Sequence, residues 1–104
     1  MNIDHIKRLC NDDCIQWSLH ALKRMRERKI TSDEVVGCIQ NGGIIEEYPD
    51  DRPLPSCLIY GVAKSRRLHT VVGCGDQSIS IITAYDPDPD EWETDFITRK
   101  EPES

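Results

Sequence analysis

Residues 57–85 read CLIYGVAKSRRLHTVVGCGDQSISIITAY, and this stretch decides the fold. It contains three β-rich runs, at 57–63, 68–74 and 79–85, which are separated by short polar connectors at 64–67 and 75–78. Connectors of this length are typical of β-hairpins. The stretch therefore predicts three strands in an antiparallel meander.

The segments on either side of the meander predict one more strand and two stiff loops. A short strand is expected at 44–48, and the two prolines of DDRPLP at 50–55 exclude regular structure there. After the meander, DPDPD at 86–90 predicts a rigid break. Trp92 and Phe96 are four residues apart, which predicts a last helical turn docked onto the core.

Helical periodicity predicts three helices before the sheet, at 3–12, at 18–29 and from 31 to about 41. Ser18 is placed to cap the second helix, and Thr31 with Glu34 matches a capping box for the third. Gly42 and Gly43 predict a glycine-terminated end of the third helix.

Helices that precede an antiparallel sheet indicate an α+β fold, in which the helices cover one face of the sheet. The 104 residues predict a single domain over 1–104, with a frayed tail at about 100–104. No apolar run approaches the length of a membrane span, and the start MNIDHIKRLC has no apolar signal core. A cytoplasmic location without membrane contact is therefore expected.

The net charge of −6 is divided unevenly along the chain. Residues 1–30 carry seven Lys/Arg and four Asp/Glu, a net charge of +3, and the remaining residues sum to −9. Generic nucleic-acid-binding proteins are usually basic, so the total argues against nonspecific binding to RNA or DNA. The basic first third still permits a local site.

The five cysteines are scattered through the chain, at Cys10, Cys14, Cys38, Cys57 and Cys74. An odd number without an export signal indicates reduced thiols that pack as small hydrophobes. No CxxC pair or His-rich partner segment accompanies them. Neither a metal nor a cofactor is therefore expected.

A stripe of polar residues marks the second helix, which lies in the stretch SLHALKRMRERKI at 18–30. His20, Arg24 and Arg28 recur every fourth residue and share one flank of a helix. They either form a solvated face or hold a phosphate, with His20 as acid or base. Arg28 borders the apolar side of the helix, which is formed by Ala21, Leu22 and Met25, and it either pairs with an acidic residue or reaches across the edge of the sheet.

Three more residues are candidates for a site. His69 lies within a predicted strand, and is either a hydrogen-bonded structural residue or a general base on an open sheet face. Tyr85 ends the last strand, either as an anchor with a wet hydroxyl or as a catalytic residue. Arg99 either pairs with the acidic 86–95 segment or reaches the site.

Several short motifs in a fixed order carry a family resemblance. They are Ser18-x-His20-Ala21-x-x-Arg24-Met25-x-x-Arg28, Ile30-Thr31, the helix end at Gly42, Tyr48-Pro49-Asp50-Asp51 with Pro53 and Pro55, the hairpin with His69, and Thr83-Ala84-Tyr85-x-Pro87 with Trp92. Over roughly residues 15–99 the chain resembles the bacterial domain of unknown function family numbered 4258. That family is distantly similar to the RelE/ParE/BrnT toxin superfamily.

The resemblance implies helices packed on a curved antiparallel sheet, the RelE-like toxin fold. RelE- and BrnT-like toxins use this scaffold for metal-free RNA cleavage and are neutralised by an antitoxin. ParE-like members act on gyrase instead, so the fold does not fix the activity.

Two hypotheses of function follow. The first is a toxin-like, metal-independent endoribonuclease acting on RNA, with His20, His69 and Tyr85 as catalytic residues and Arg24, Arg28 and Arg99 as phosphate ligands. The second is a noncatalytic protein-binding module, an inactive toxin relative whose acidic surface binds a basic partner such as an antitoxin-like segment. The apolar run Ile79-Ser80-Ile81-Ile82 leaves surface for such a partner or for a second copy in a homodimer.

Overall fold

A computed structural model describes residues 1–101. Eight elements follow one another along the chain: α1 (Ile3–Asn11), β1 (Ile15–Trp17), α2 (Leu19–Glu27), α3 (Ser32–Asn41), β2 (Gly43–Tyr48), β3 (Ser56–Ala63), β4 (Arg66–Cys74) and β5 (Ile79–Tyr85). The predicted α+β class is confirmed, as are the three helices and the four strands of the second half. No helix in the described part of the chain is long and apolar enough to cross a membrane.

The helix ends are held by the caps that the sequence predicts, with one exception. The Ser18 side chain accepts from the Ala21 N–H, and Thr31 and Glu34 form the capping box. The exception is Gly42, which has a φ of −110° and not the left-handed conformation of a helix-ending glycine. A Cβ at Gly42 would collide with the carbonyl oxygen of Tyr60, so close packing against β3 explains this glycine.

The five strands form one mixed sheet in the order β1-β5-β4-β3-β2. β3 to β5 pair as the predicted antiparallel meander, and β2 adds to it as an antiparallel neighbour of β3. The β3–β4 hairpin turns at Lys64 and Ser65, whose positive φ values of 51° and 72° suit a tight two-residue turn. β1 was not predicted. Its three residues pair in parallel with the start of β5, a long-range contact that leaves no local signal in the sequence.

The three helices cover one face of the sheet. Their buried side chains form one core with inward residues of the strands, among them Ile59, Leu68, Val72 and Ile81. On α2 the predicted apolar side is narrower than expected, because Ala21 and Met25 are buried but Leu22 is 42% exposed. The other sheet face carries Leu58, Tyr60, His69, Val71 and Tyr85, and we call it the helix-free face.

A β-bulge decides which side chains of β5 reach the helix-free face. Val72 pairs with Ile81 but Val71 pairs with Thr83, so Ile82 is an extra residue in β5. Side chains alternate along a strand, so a regular β5 would place Tyr85 on the same side as Ile81. The bulge reverses the alternation and sets Tyr85 opposite His69.

The segment after β5 crosses the helix-free face without forming the helical turn that Trp92 and Phe96 predicted. It is built of turns, and Trp92 forms an isolated antiparallel bridge with Arg99. Trp92 is nevertheless buried, at 1% exposure, as its predicted docking requires. Of the predicted frayed tail, residues 102–104 lie outside the described part of the chain.

Candidate functional site

His69 lies at the centre of the helix-free face, and its exposure is 0%. Its Nε2 atom is 2.7 Å from the Phe96 carbonyl oxygen, and its Nδ1 atom is 3.4 Å from the Tyr85 hydroxyl. A carbonyl only accepts, so Nε2 carries the proton and donates it to Phe96. In the neutral ring Nδ1 then has the lone pair and accepts from the Tyr85 O–H.

Three aromatic rings meet the imidazole of His69 edge to face. The ring centroids of Tyr60, Tyr85 and Trp92 lie 5.7, 5.4 and 4.5 Å from that of His69. Burial among these rings lowers the pKa of His69, because the charged imidazolium loses its hydration there; the hydrogen bond to Phe96 opposes this shift. The ring is therefore neutral at pH 7 and is able to accept a proton at Nδ1.

Arg99 closes the site from the C-terminal segment. Its Nε and Nη2 donate to the two carboxylate oxygens of Glu46 at 2.7 and 3.1 Å, and its guanidinium stacks 4.5 Å from the centre of the Trp92 ring. The Tyr48 hydroxyl donates to the same carboxylate at 2.5 Å. The Arg99 hydrogen bond holds the pKa of Glu46 below its usual value, and burial together with Glu46 raises the pKa of Tyr48 to about 12. Of the two alternatives for Arg99, the pairing with the acidic 86–95 segment is not found in the described chain; Arg99 pairs with Glu46 of β2 and lies beside Trp92, near His69.

Tyr85 is half-buried, so its ring is held while one side remains accessible. Burial raises the pKa of its phenol, and the charges of Arg99 and Arg28 act against that shift. Glu46 and Glu91 add to it. The Tyr85 hydroxyl therefore stays protonated at neutral pH and is able to donate its proton to Nδ1 of His69.

Arg28 reaches the free edge of β5, one of the two alternatives that the sequence left open. β1 pairs only with Ile79, Ser80 and Ile81, which leaves the end of β5 without a strand neighbour on that side within the described chain. Arg28 Nη1 donates to the Thr83 hydroxyl at 3.1 Å and to the Ala84 carbonyl at 2.9 Å. The Arg28 side chain thus provides a hydrogen bond to the Ala84 carbonyl at the sheet edge and places a cation beside the end of β5.

Arg66 anchors the backbone of Arg28. Its Nη2 donates to the Arg28 carbonyl at 3.0 Å and its Nη1 to the Lys29 carbonyl at 2.7 Å. Nε and Nη2 also bind the two oxygens of Asp86, both at 2.8 Å, just beyond Tyr85. Arg66 therefore ties the end of α2 to the end of β5.

His20 and Arg24 lie outside this group. Both are exposed on α2, and Arg24 pairs with Glu27 one turn further on, at 3.2 Å. The structure therefore brings together His69, Tyr85 and Arg99, with Arg28 at the margin, and separates them from the other two predicted residues. Arg28 is separated from His20 and Arg24 because it lies just beyond the end of α2, where its side chain reaches β5.

The sequence did not point to Glu46, Tyr48, Tyr60 or Arg66 as parts of the site. Glu46 and Tyr48 come from β2 and meet Arg99 from the far end of the chain. Tyr60 contacts His69 because the two residues are direct cross-strand partners. One signal in the sequence could have indicated that Tyr60 contacts His69. Residues 58, 60 and 62 share one face of the predicted strand, and a hairpin with the next strand places Tyr60 opposite His69.

Residues 17–86, more than half of the chain, match the family described as a domain of unknown function (DUF4258). The chain belongs to this family. The matched range includes Arg28, His69 and Tyr85, whereas Trp92 and Arg99 follow it. No curated protein and no solved structure matches the chain significantly.

Proposed function

We propose that this protein is a metal-independent endoribonuclease and that the Tyr85 hydroxyl is the group that contacts the RNA. One observation carries the proposal: that hydroxyl is 3.4 Å from the unprotonated Nδ1 of His69, while Arg28 binds the carbonyl of the neighbouring Ala84 and Arg99 stacks on Trp92. Cleavage of RNA without a metal needs a proton acceptor for the 2′-hydroxyl and cations for the phosphate. The helix-free face offers both.

The resemblance to the RelE/ParE/BrnT superfamily supports the same proposal. In RelE- and BrnT-like toxins, helices on an antiparallel sheet support metal-free RNA cleavage. The present chain has three helices on one face of a sheet with four antiparallel strands, which agrees with that scaffold. The toxin role and the antitoxin partner rest on this similarity alone.

The cleavage step follows from the tautomer of His69. The 2′-hydroxyl oxygen attacks the adjacent phosphorus, its proton passes to the Tyr85 oxygen, and the Tyr85 proton passes to Nδ1 of His69. The bond to the 5′-oxygen breaks, and that oxygen takes a proton from water on the exposed side of the site. The products are a 2′,3′-cyclic phosphate and a 5′-hydroxyl end, and the proton on Nδ1 returns through the Tyr85 hydroxyl to the hydroxide that the water leaves behind.

Arg28 and Arg99 are the proposed phosphate ligands. In the described chain Arg28 uses only Nη1 for Thr83 and Ala84, so Nε and Nη2 are available to an oxyanion. Arg99 binds Glu46 through Nε and Nη2, so its Nη1 has no hydrogen-bond partner among residues 1–101 and is available to a phosphate oxygen. His69 touches no substrate here and acts as a positioning residue and proton store behind Tyr85.

Induced expression in a bacterial host tests the proposal. The wild-type chain is expected to arrest growth and fragment cellular RNA, and Tyr85→Phe or Arg28→Ala is expected to relieve both effects. His20→Ala and Arg24→Ala are matched surface controls that retain the effects, because these residues lie outside the site. Full growth with intact RNA under wild-type expression contradicts the proposal.

A noncatalytic protein-binding module is the second candidate, and the free edge of β2 favours it. β2 ends the sheet, and no described strand pairs with its outer side. Beside it lies a shallow depression of about 440 Å³ that is lined by four apolar and two acidic residues: Met1, Ile3, Ile44, Ile45, Glu46 and Glu47. An extended segment with alternating basic and apolar residues fits this edge by strand addition. In the run Ile79-Ser80-Ile81-Ile82, by contrast, Ile79 and Ile81 are buried, and the apolar surface that remains for a partner or a second copy is that of Ile82, which is 39% exposed.

Titration of the ¹⁵N-labelled protein with a synthetic peptide of alternating lysine and valine tests this second function. Amide shifts confined to β2, and lost in Glu47→Lys, support a basic partner. A glutamate–valine peptide is the control. Equal shifts with both peptides, or shifts outside β2, contradict the docking mode.

A further inference from the structure

Two of the five cysteines are diagonal neighbours on adjacent strands, since Cys57 pairs with Val72 and Cys74 lies two residues further along β4. Cys57 lies near the start of β3, Cys74 is the last residue of β4, and their sulfur atoms are 3.9 Å apart. A disulfide requires about 2.05 Å between the sulfurs, so the two sulfurs are in contact and have to approach by about 2 Å to bond. Both thiols are free in this structure.

The two thiols have unequal surroundings. Cys57 is fully buried, whereas Cys74 is half-buried next to the 75–78 turn. The hydrogen bond between the thiols lowers the pKa of Cys74 and raises that of Cys57, and burial raises it further. Cys74 is therefore the thiol that ionises and meets solvent first, and Cys57 lies behind it as a second thiol.

We propose that Cys57 and Cys74 form an oxidisable dithiol site whose reactant is a hydroperoxide and whose product is an intramolecular disulfide. The site is independent of the proposed ribonuclease activity, since neither cysteine contacts His69, Tyr85, Arg28 or Arg99 through a hydrogen bond in the described chain. It lies on the helix-covered side of the sheet, where Cys57 belongs to the buried core.

The reaction proceeds in two balanced steps. The Cys74 thiolate attacks the peroxide oxygen, the O–O bond breaks, and a sulfenic acid forms while the alkoxide leaves and takes a proton. The Cys57 sulfur then attacks the sulfenic sulfur, the S–O bond breaks, and water leaves with the Cys57 proton. The two thiols lose two electrons in total, and the hydroperoxide is reduced to an alcohol and water, or to two waters when it is hydrogen peroxide.

Mass spectrometry of the full chain after treatment with hydrogen peroxide tests the proposal. The wild type is expected to lose two hydrogen atoms, and peptide mapping is expected to assign the bond to Cys57 and Cys74. Cys57→Ser is expected to stop at a sulfenic acid that dimedone traps at Cys74. Cys74→Ser is expected to give neither product.

Cys14→Ser is the matched control, because Cys14 is also half-buried but has no thiol facing it in the described chain. This variant is expected to form the disulfide as fast as the wild type. A bond mapped to any other pair, a wild type that keeps all its thiol hydrogens, or dimedone labelling of Cys57 in preference to Cys74 overturns the proposal. The wild-type mapping alone decides the pair if either serine variant fails to fold.

Discussion

Replacement of Trp92 by alanine tests whether the C-terminal segment is part of the folded domain. Trp92 is 1% exposed, and the centre of its ring lies 4.5 Å from that of His69. The Arg99 guanidinium also stacks on the Trp92 ring, 4.5 Å from its centre. Truncation of a buried tryptophan costs about 3–5 kcal/mol. A small domain has a total unfolding free energy of about 5–15 kcal/mol, so this loss is a large fraction of it. For a chain of this size we expect a melting temperature lower by more than about 10 °C.

Urea denaturation and an NMR titration of the His69 ring measure the two consequences. Trp92→Ala is expected to lower the urea midpoint and to move the pKa of His69 upward toward its ordinary value, because the ring regains hydration. Trp17→Ala is the matched control for the His69 titration, since Trp17 lies on β1, two strands away from His69 on β4. An unchanged midpoint together with an unchanged His69 titration refutes the docking of this segment.

Four further outcomes are expected. Lys29 has a left-handed φ of 57°, so Lys29→Gly should raise the unfolding free energy by about 0.5–1 kcal/mol in a urea titration. Arg66→Met should lower the unfolding free energy by about 2 kcal/mol, because two hydrogen bonds to helix-end carbonyls and the ion pair with Asp86 are lost. Arg66→Lys should restore less than half of that free energy, because an ammonium group lacks the fork geometry of a guanidinium. The arginine partners of Glu46 and Asp86 lower the pKa values of these carboxylates. The stability that the two pairs contribute is therefore present above about pH 4 and is lost as the pH falls below it. Urea midpoints at pH 7 and pH 3 measure this loss. The lowered pKa of His69 keeps Nδ1 unprotonated at neutral pH, so RNA cleavage should be flat near pH 7 and decline only below about pH 6.5 in a pH–rate profile.

Most of the fold follows from local patterns. The capping box at Thr31 and Glu34 and the three runs in 57–85 each contain their own signal, and each is found in the structure. β1 escapes prediction because it has only three residues and its partner lies more than sixty residues away. The Trp92 segment escapes it because a spacing of four residues suits a helical turn, whereas the prolines before it and the contact with His69 produce an irregular path.

The site is less predictable, because its geometry depends on one inserted residue. From alternation alone, Tyr85 belongs on the same face as Ile79 and Ile81, away from His69. The bulge at Ile82 reverses that assignment, and nothing local in the stretch SIIT marks where the bulge falls. Tertiary structure also determines that Arg28, and not His20 or Arg24, lies near the site. Arg28 reaches the end of β5 because β1 is too short to cover it.

The central claim is that the Tyr85 hydroxyl, held by His69, takes part in RNA cleavage. Its most direct test is the single-turnover cleavage rate of a short RNA by the purified protein in the presence of a metal chelator, compared among the wild type, Tyr85→Phe and Tyr60→Phe. Both substitutions remove one hydroxyl from a tyrosine that contacts the His69 ring, but only the Tyr85 hydroxyl bonds to Nδ1 in the described chain. We predict 2′,3′-cyclic phosphate ends from the wild type, a loss of about 10²–10⁴-fold in Tyr85→Phe, and a rate within about threefold of wild type in Tyr60→Phe. Equal rates for the two variants, or no cleavage by the wild type, contradict the claim.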